Sequence, residues 1–316
     1  MRAAVIERYG EPPILRQVEE PKADGAGVVE VTAAPLNPVD LSIASGKFYA
    51  GSPPTPYVPG GEGVGRPLLD GKLGPRVYFR AALPSGALAE RAVVSRGETV
   101  PIPDSVPDGV AAALGTPGMA AYLALTRRAQ LKAGETVLIL AASGVLGAIA
   151  VQVARLLGAG RIIAGARDEQ GLARARALGA HATVDLKQAD ALTDRIREAS
   201  GGQLQVVIDP VWGVPGVAAL EAMSPFGRFV QLGQSAGPEA NVKSGILRGR
   251  HLSILGFTSF LVPWEDQAGA YRKLIDYAAA GEIKVEVEVL PLEAAPEAWR
   301  RQATSPHRKL VLSPQT

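Results

Sequence analysis

Between Glu135 and Ala159 an uninterrupted apolar segment, Thr136-Val137-Leu138-Ile139-Leu140, passes through Ala142-Ser143-Gly144-Val145-Leu146-Gly147 into a helical pattern, and no other stretch restricts the fold as tightly. Four apolar residues in a row behind Thr136, without alternation, suit a parallel strand covered on both faces. Leu146, Ile149, Ala150, Val153, Leu156 and Leu157 then recur at helical spacing, which predicts a helix with one buried stripe. A strand that enters a glycine turn and a helix that leaves it form the opening unit of a dinucleotide-binding fold. In such a turn Gly144 lets the backbone approach a pyrophosphate, Gly147 lets the helix pack closely on the strand, and unpaired helix N–H groups face the anion. A merely structural strand-to-helix turn is the alternative, and the glycines gain weight only from their place between this strand and this helix.

At 316 residues the chain exceeds what one hydrophobic core usually organises, so two domains, or one interrupted by another, are expected. Up to about residue 110, short segments such as Ala3-Ala4-Val5-Ile6, Val28-Val29-Glu30-Val31, Arg76-Val77-Tyr78-Phe79 and Glu90 to Val94 are separated by many Gly and Pro residues, a β-rich texture. From about 117 to 250 strands alternate with helices. Candidate strands are Arg161 to Ala164, Ala182 to Val184, Val206 to Asp209, Arg228 to Leu232 and Leu252 to Phe257, with helices over Gln170 to Leu178 and Ala189 to Ala199. This alternation predicts an α/β fold with a doubly wound parallel sheet. A long helix over Glu265 to Ala279 follows, and the tail returns to β texture in Lys284 to Val289 and Lys309 to Leu312.

Composition excludes several classes. The chain has no cysteine, so disulfides, thiolate catalysis and the usual thiol ligands of structural zinc are ruled out. A net charge of +2 from 33 basic and 31 acidic residues gives no dense patch for nucleic acid. No uncharged apolar stretch approaches the ~20 residues that span a bilayer, and no signal peptide is evident, so a cytoplasmic location is expected.

The second strand of the dinucleotide unit speaks to the cofactor. A site for NAD ends that strand with an acidic residue that binds the ribose hydroxyls. Here Ala166 stands at that position and Arg167 follows it. A guanidinium grips a 2′-phosphate in bidentate fashion, whereas a carboxylate would repel it, so NADPH is expected. An ordinary surface arginine is the alternative for Arg167, and the neighbouring Asp168 could also reach a ribose hydroxyl.

Taken together, Asn37-Pro38-Val39-Asp40 before Ser45-Gly46, Pro56 through Gly65 with the pattern Pro-x-x-Pro-Gly-x-Glu-x-x-Gly, Gly115 through Tyr122, the glycine turn, Asp209-Pro210-Val211, Gly227 through Gly233 and Lys309 through Leu312 resemble the medium-chain dehydrogenase/reductase superfamily, in its zinc-independent quinone oxidoreductase branch. The resemblance covers nearly the whole chain. It implies a GroES-like catalytic domain over residues 1–115, a Rossmann NADPH-binding domain over 116–256, and a C-terminal segment over 257–316 that returns to the catalytic domain. In zinc enzymes of the superfamily a cysteine stands where Asn37 is and a histidine where Gly61 is, and the four-cysteine zinc loop is missing too, so no metal is expected.

The resemblance implies hydride transfer from NADPH to a quinone or an α,β-unsaturated carbonyl compound, acceptors that need no Lewis acid. An enoyl-thioester reductase of a biosynthetic pathway and a low-turnover NADPH-binding redox sensor are the alternatives. Asn37 would donate to a substrate oxygen or to the nicotinamide ribose, or else shape the Asn-Pro turn. Tyr49 would offer a hydrogen bond to substrate, or else pack with Phe48. Glu62 is assigned a structural part. Thr116, Ser143, Val145, Leu146, Leu232, Gly233, Phe257 and Lys309 would line the cofactor site, with Lys309 alternatively anchoring the last strand. Leu186 stands where related chains often carry a tyrosine near the adenine ribose, which shifts more of the phosphate binding onto Arg167. Relatives imply a homodimer that pairs the last strand of the coenzyme domain with its twin, across Leu252 to Val262.

Overall fold

The structure is a computed structural model that describes residues 1–22 and 27–315. Strands β1 (Arg2–Val5), β2 (Ile14–Gln17) and β3 (Val28–Pro35) lead into helix α1 (Pro38–Ala44). Next come β4 (Glu62–Leu69), β5 (Lys72–Leu73), β6 (Val77–Ala81) and β7 (Arg91–Pro101), then α2 (Asp108–Ala113) and α3 (Thr116–Leu123). Alternation begins at β8 (Thr136–Leu140) and α4 (Val145–Leu156), continues with β9 (Arg161–Ala166), α5 (Glu169–Ala177), β10 (Ala182–Asp185), α6 (Leu192–Ser200), β11 (Val206–Asp209) and α7 (Gly213–Ala222), and ends with β12 (Arg228–Gln231), α8 (Ser244–Arg250) and β13 (Ser253–Gly256). The chain closes with α9 (Trp264–Ala279), β14 (Val287–Pro291), α10 (Ala295–Ala303) and β15 (Lys309–Ser313). Two compact units result, one from Met1–Pro117 with Trp264–Thr316, the other from Gly118–Pro263.

In the second unit six parallel strands stand in the order β10-β9-β8-β11-β12-β13. Every residue of β8 is buried, as its unbroken apolar run requires when helices cover both faces. Strand order reverses between β8 and β11, and in open α/β sheets ligands bind beyond the carboxyl ends of the strands at such a point. The single buried stripe expected of α4 is too narrow. Gly147 and all residues from Ile149 to Ala154 are buried, because this helix sits at the centre of the sheet. Helix α6 starts three residues later than its pattern suggests, since Ala191 takes a left-handed conformation (φ 52°) that no helix can include.

In the first unit β3 pairs with both β4 and β7, and β6 joins those two, so four strands close into a small barrel without free edges. Strand β15 lies antiparallel to β3 and parallel to β14. It carries Leu310 and Leu312 into a core shared with Val29, Val31, Phe79 and Leu88. Two helices were not legible as such. The Asn-Pro segment opens α1, with Asn37 at the N-cap and Pro38 in the first turn, where a fixed φ and a missing N–H cost nothing. The tail expected to be β-rich holds α10, which buries Ala295, Ala298 and Trp299 at helical spacing, and its strand begins at Val287 rather than Lys284. Among the described residues no helix is long and apolar enough to cross a membrane.

Candidate active site

Strand β8 delivers the chain into the glycine turn, and Gly144 adopts an extended conformation (φ −82°, ψ 167°) as the N-cap of α4. No side chain caps this end, so the first-turn N–H groups of Val145, Leu146 and Gly147 are left for an external acceptor. A Cβ on Gly147 would lie 2.3 Å from the carbonyl oxygen of Ala141 and 2.6 Å from the Cα of Ala142. The turn therefore admits no side chain there, and α4 starts directly against the end of β8. Ser143, Val145 and Leu146 are half-buried.

The other expected cofactor residues of this unit share the same end of the parallel sheet. Ala166 closes β9 and is buried, and Arg167 follows it, exposed and without an ion pair among the described residues. Asp168 caps α5 by accepting from the Gly171 N–H at 2.7 Å, with Arg174 at 3.4 Å, so its carboxylate is already engaged. A Cβ on Gly171 would come within 2.2 Å of the Ser143 Cβ, which shows how closely α5 abuts the glycine turn and why Arg167 is held beside it. Leu232 and Gly233 follow β12, and Phe257 follows β13, all half-buried. Leu186 packs against the core of the unit.

Sequence reasoning assigned no function to the hook after β11. Asp209 is fully buried, and its carboxylate accepts the N–H groups of Val211 at 2.8 Å and Trp212 at 2.9 Å. These bonds hold Trp212 at φ 58°, ψ −153°, a backbone state that bulky residues rarely occupy. Burial, opposed by those two N–H groups, pushes the carboxyl from 3.8 up to about 6. A raised pKa means that this contribution to stability is complete at low pH and is lost as pH climbs through about 6. Asp209→Asn keeps an acceptor oxygen and removes the charge. It should be more stable than wild type at pH 8 by about 1–3 kcal/mol, with the gap closing by pH 4. Thermal melts at both values test this, and a gap independent of pH would contradict it.

In the first unit Asn37, Glu62 and Lys309 meet in one buried network. Glu62, 2% exposed on β4, accepts from the Asn37 Nδ2 at 2.8 Å through Oε1. Its Oε2 accepts from the Tyr78 hydroxyl at 2.7 Å and from the Thr116 N–H at 2.7 Å. Lys309, 2% exposed at the start of β15, donates from Nζ to the Leu36 carbonyl at 2.8 Å and to the Asn37 Oδ1. Asp40 on α1 accepts the Asn37 N–H at 2.8 Å. Burial raises Asp40 to about 6, opposed by bonds from the backbone of Asn37 and Gly61. Burial likewise draws Lys309 down from 10.5 to about 8, opposed by the carboxylates of Glu62 and Asp40. Tyr78, raised far above 10 by burial and the adjacent Glu62, stays a neutral donor, and its ring stacks on Tyr271 at 4.2 Å.

Thus Asn37 and Thr116, read separately from the sequence, share Glu62 as a hub and Lys309 joins it through Asn37, with Asp40 and Tyr78 as members that sequence reasoning did not select. Tyr49 lies outside this network, 76% exposed with its ring 4.5 Å from that of Phe48. Among the described residues no group of three or more His, Cys, Asp or Glu side chains is placed to hold a metal ion.

Residues 145–276 match the family model of zinc-binding dehydrogenases, a span that starts at α4 and excludes Asn37 and Gly61. The chain is 30% identical to the quinone oxidoreductase of Homo sapiens over 318 aligned positions, covering 94% of this chain and 92% of the relative. Among solved structures, the quinone oxidoreductase of Thermus thermophilus, determined alone and in complex with NADPH, superposes with a TM-score of 0.83 at 32% identity, covering 99% of this chain and 100% of the other. That of Pseudomonas syringae pv. Tomato DC3000 gives a TM-score of 0.87 at 29% identity, covering 99% of both chains. With the glycine turn, the small barrel and the β15 return all in place, the chain belongs to the quinone oxidoreductase branch of the medium-chain dehydrogenase/reductase family.

Proposed function

We propose that this protein is an NADPH-dependent, zinc-independent reductase that transfers hydride to a quinone or an α,β-unsaturated carbonyl compound. The observation that carries the reading is the uncapped start of α4 behind a turn that excludes a side chain at Gly147, with Arg167, which has no ion pair among the described residues, at the next strand end. Backbone N–H groups with no internal acceptor suit a pyrophosphate, and an exposed guanidinium suits a 2′-phosphate. The complex of the Thermus relative with NADPH supports the same choice.

Bound NADPH would supply the hydride. In this reading Ser143, Gly144, Val145, Leu146 and Gly147 receive the pyrophosphate and Ala166 leaves room beside it. Arg167 holds the 2′-phosphate, and Thr116, Leu232, Gly233 and Phe257 line the rest of the cofactor site. Asn37 orients the acceptor by donating from its amide to the oxygen on which charge collects, and Tyr49 adds a substrate-side hydrogen bond. Position 37 carries an amide rather than a thiolate and position 61 has no side chain, which favours acceptors already poor in electrons over simple alcohols. Pairing of β13 with its twin in a homodimer is supported by its place at the sheet edge and by the exposure of Ile254, Phe260 and Leu261 around it. A cytoplasmic setting fits this chemistry.

Purified protein should consume NADPH in the presence of quinones or enones. Turnover only with enoyl thioesters would point to the biosynthetic alternative, and tight NADPH binding with no turnover on any of the three classes would refute enzymatic reduction. Arg167→Ala should weaken NADPH binding by about 1.5–3 kcal/mol and leave NADH binding unchanged, because only charge-assisted bonds to the phosphate are removed. Fluorescence titration with both cofactors measures this, and an equal loss for the two would remove Arg167 from the phosphate site.

A further inference from the structure

The network around Asn37 is more ordered than a turn residue needs. A carboxamide turned by 180° about its last bond exchanges its oxygen and its NH2 with little change in shape, so its orientation depends on its neighbours. Here one neighbour, the Lys309 ammonium, only donates, and the other, the Glu62 carboxylate, accepts. Turning the amide would set NH2 against an ammonium and oxygen against a carboxylate, with all three groups at most 3% exposed. The anionic side is itself fixed by the Tyr78 hydroxyl and the Thr116 N–H. The cationic side rests on Lys309, which is also tied to the Leu36 carbonyl. One Nδ2 hydrogen of Asn37 is used on Glu62, and the second has no acceptor among the described residues.

We infer that Lys309 is a positioning residue whose ammonium locks the Asn37 carboxamide, so that the second amide hydrogen is held ready for the oxygen of the carbonyl acceptor. This rests on the role of Asn37 given under Proposed function, and it is offered in place of the cofactor contact that the resemblance implies for Lys309. A donor fixed before charge develops stabilises that charge without reorganising, whereas an amide free to turn must first be ordered. In this role Lys309 acts through Asn37, its Nζ being taken up by the Leu36 carbonyl and the Asn37 Oδ1.

The test uses Lys309→Met, which fills the space without a charge, Lys309→Ala, which leaves room for a small amine, and Asn37→Ala. With a quinone or an enone as acceptor, Lys309→Met should lower kcat roughly 10-fold to 100-fold and leave the Kd for NADPH within about twofold. Asn37→Ala should lose a similar factor, and the double variant should be no slower than Asn37→Ala alone, because both changes remove one function. Ethylammonium added to Lys309→Ala should restore part of kcat and do nothing for Asn37→Ala.

Orientation is read without any acceptor from the side-chain amide NMR signals of Asn37, assigned by their loss in Asn37→Ala. In the wild type the two hydrogens, kept distinct by slow rotation about the C–N bond, should lie away from the positions of a free amide and exchange slowly with solvent, and in Lys309→Met both should shift toward those positions, broaden and exchange faster. Folded Lys309→Met with unaltered amide signals, or with full kcat, overturns the inference. So do losses that multiply in the double variant, or activity that falls in step with melting temperature and does not return with amine. If the wild type reduces no acceptor, the functional reading fails by itself, and the amide signals still decide whether Lys309 orients Asn37.

Discussion

Gly147→Ala should abolish measurable NADPH binding and lower stability by about 1–3 kcal/mol, the usual cost of overpacking a filled site. The added Cβ would meet backbone atoms of Ala141 and Ala142 at 2.3 and 2.6 Å, and no side-chain rotation relieves a clash with backbone. Helix α4 must therefore back away from β8, and its N–H groups leave the position they hold for a pyrophosphate. A misplacement near 1 Å is enough to cost about 100-fold where oriented donors do the binding. Gly245→Ala on α8 is the matched control, since a Cβ there meets nothing within 4 Å and should change neither quantity. NADPH fluorescence titration and thermal melts of both variants decide the matter. Gly147→Ala with wild-type affinity would remove the turn from the cofactor site.

Glu62→Gln is expected to have the next largest effect, here on the first unit. Glu62 accepts three hydrogen bonds through two oxygens. A glutamine offers one oxygen and one NH2, so whichever way its amide turns, a donor meets a donor. Facing Asn37 Nδ2, the NH2 would reverse the Asn37 carboxamide; facing the Thr116 N–H, it would meet a backbone group that cannot rotate. The change also withdraws a negative charge from the buried Lys309 ammonium. Breaking a buried charged network on one side costs about 3–5 kcal/mol, which lowers the melting temperature of a unit of this size by roughly 10 °C. Calorimetry of the variant measures it. A loss of only a degree or two would mean that Glu62 is not the hub its geometry indicates.

The coenzyme-binding unit was legible because its signals are local. The apolar run of β8, the glycines of the turn and the periodicity of α4 all lie within Glu135 to Ala159, and the strands after it announce themselves in the same way. The network of the first unit was legible only in pieces. Lys309 and Asn37 are separated by 272 positions and Asn37 and Glu62 by 25, and no periodicity links them. Sequence left Asn37 and Lys309 with two open roles each and gave Glu62 a structural one, and only the pairing of β15 with β3 shows them as one device. The hook at Trp212 escaped notice for a different reason. Positive φ is read from glycine, asparagine or aspartate, and here a tryptophan is driven into it by hydrogen bonds to Asp209. Helix α10 was hidden by Pro296, which breaks a helix in its interior but suits its first turn.

The return of β15 to β3 has a consequence for the order of synthesis. A nascent chain carries Asn37, Asp40 and Glu62 long before it carries Lys309, and the whole of Gly118–Pro263 emerges from the ribosome in between. The second unit, contiguous in the chain, is free to fold as it emerges, while the first waits with two carboxylates lacking their cation and with Leu310 and Leu312 missing from its core. Biogenesis therefore runs in reverse of chain order. A ribosome that stalls late leaves a folded nucleotide-binding unit attached to a first unit that has its barrel strands but still lacks β14 and β15, which the cell's proteases would recognise as incomplete.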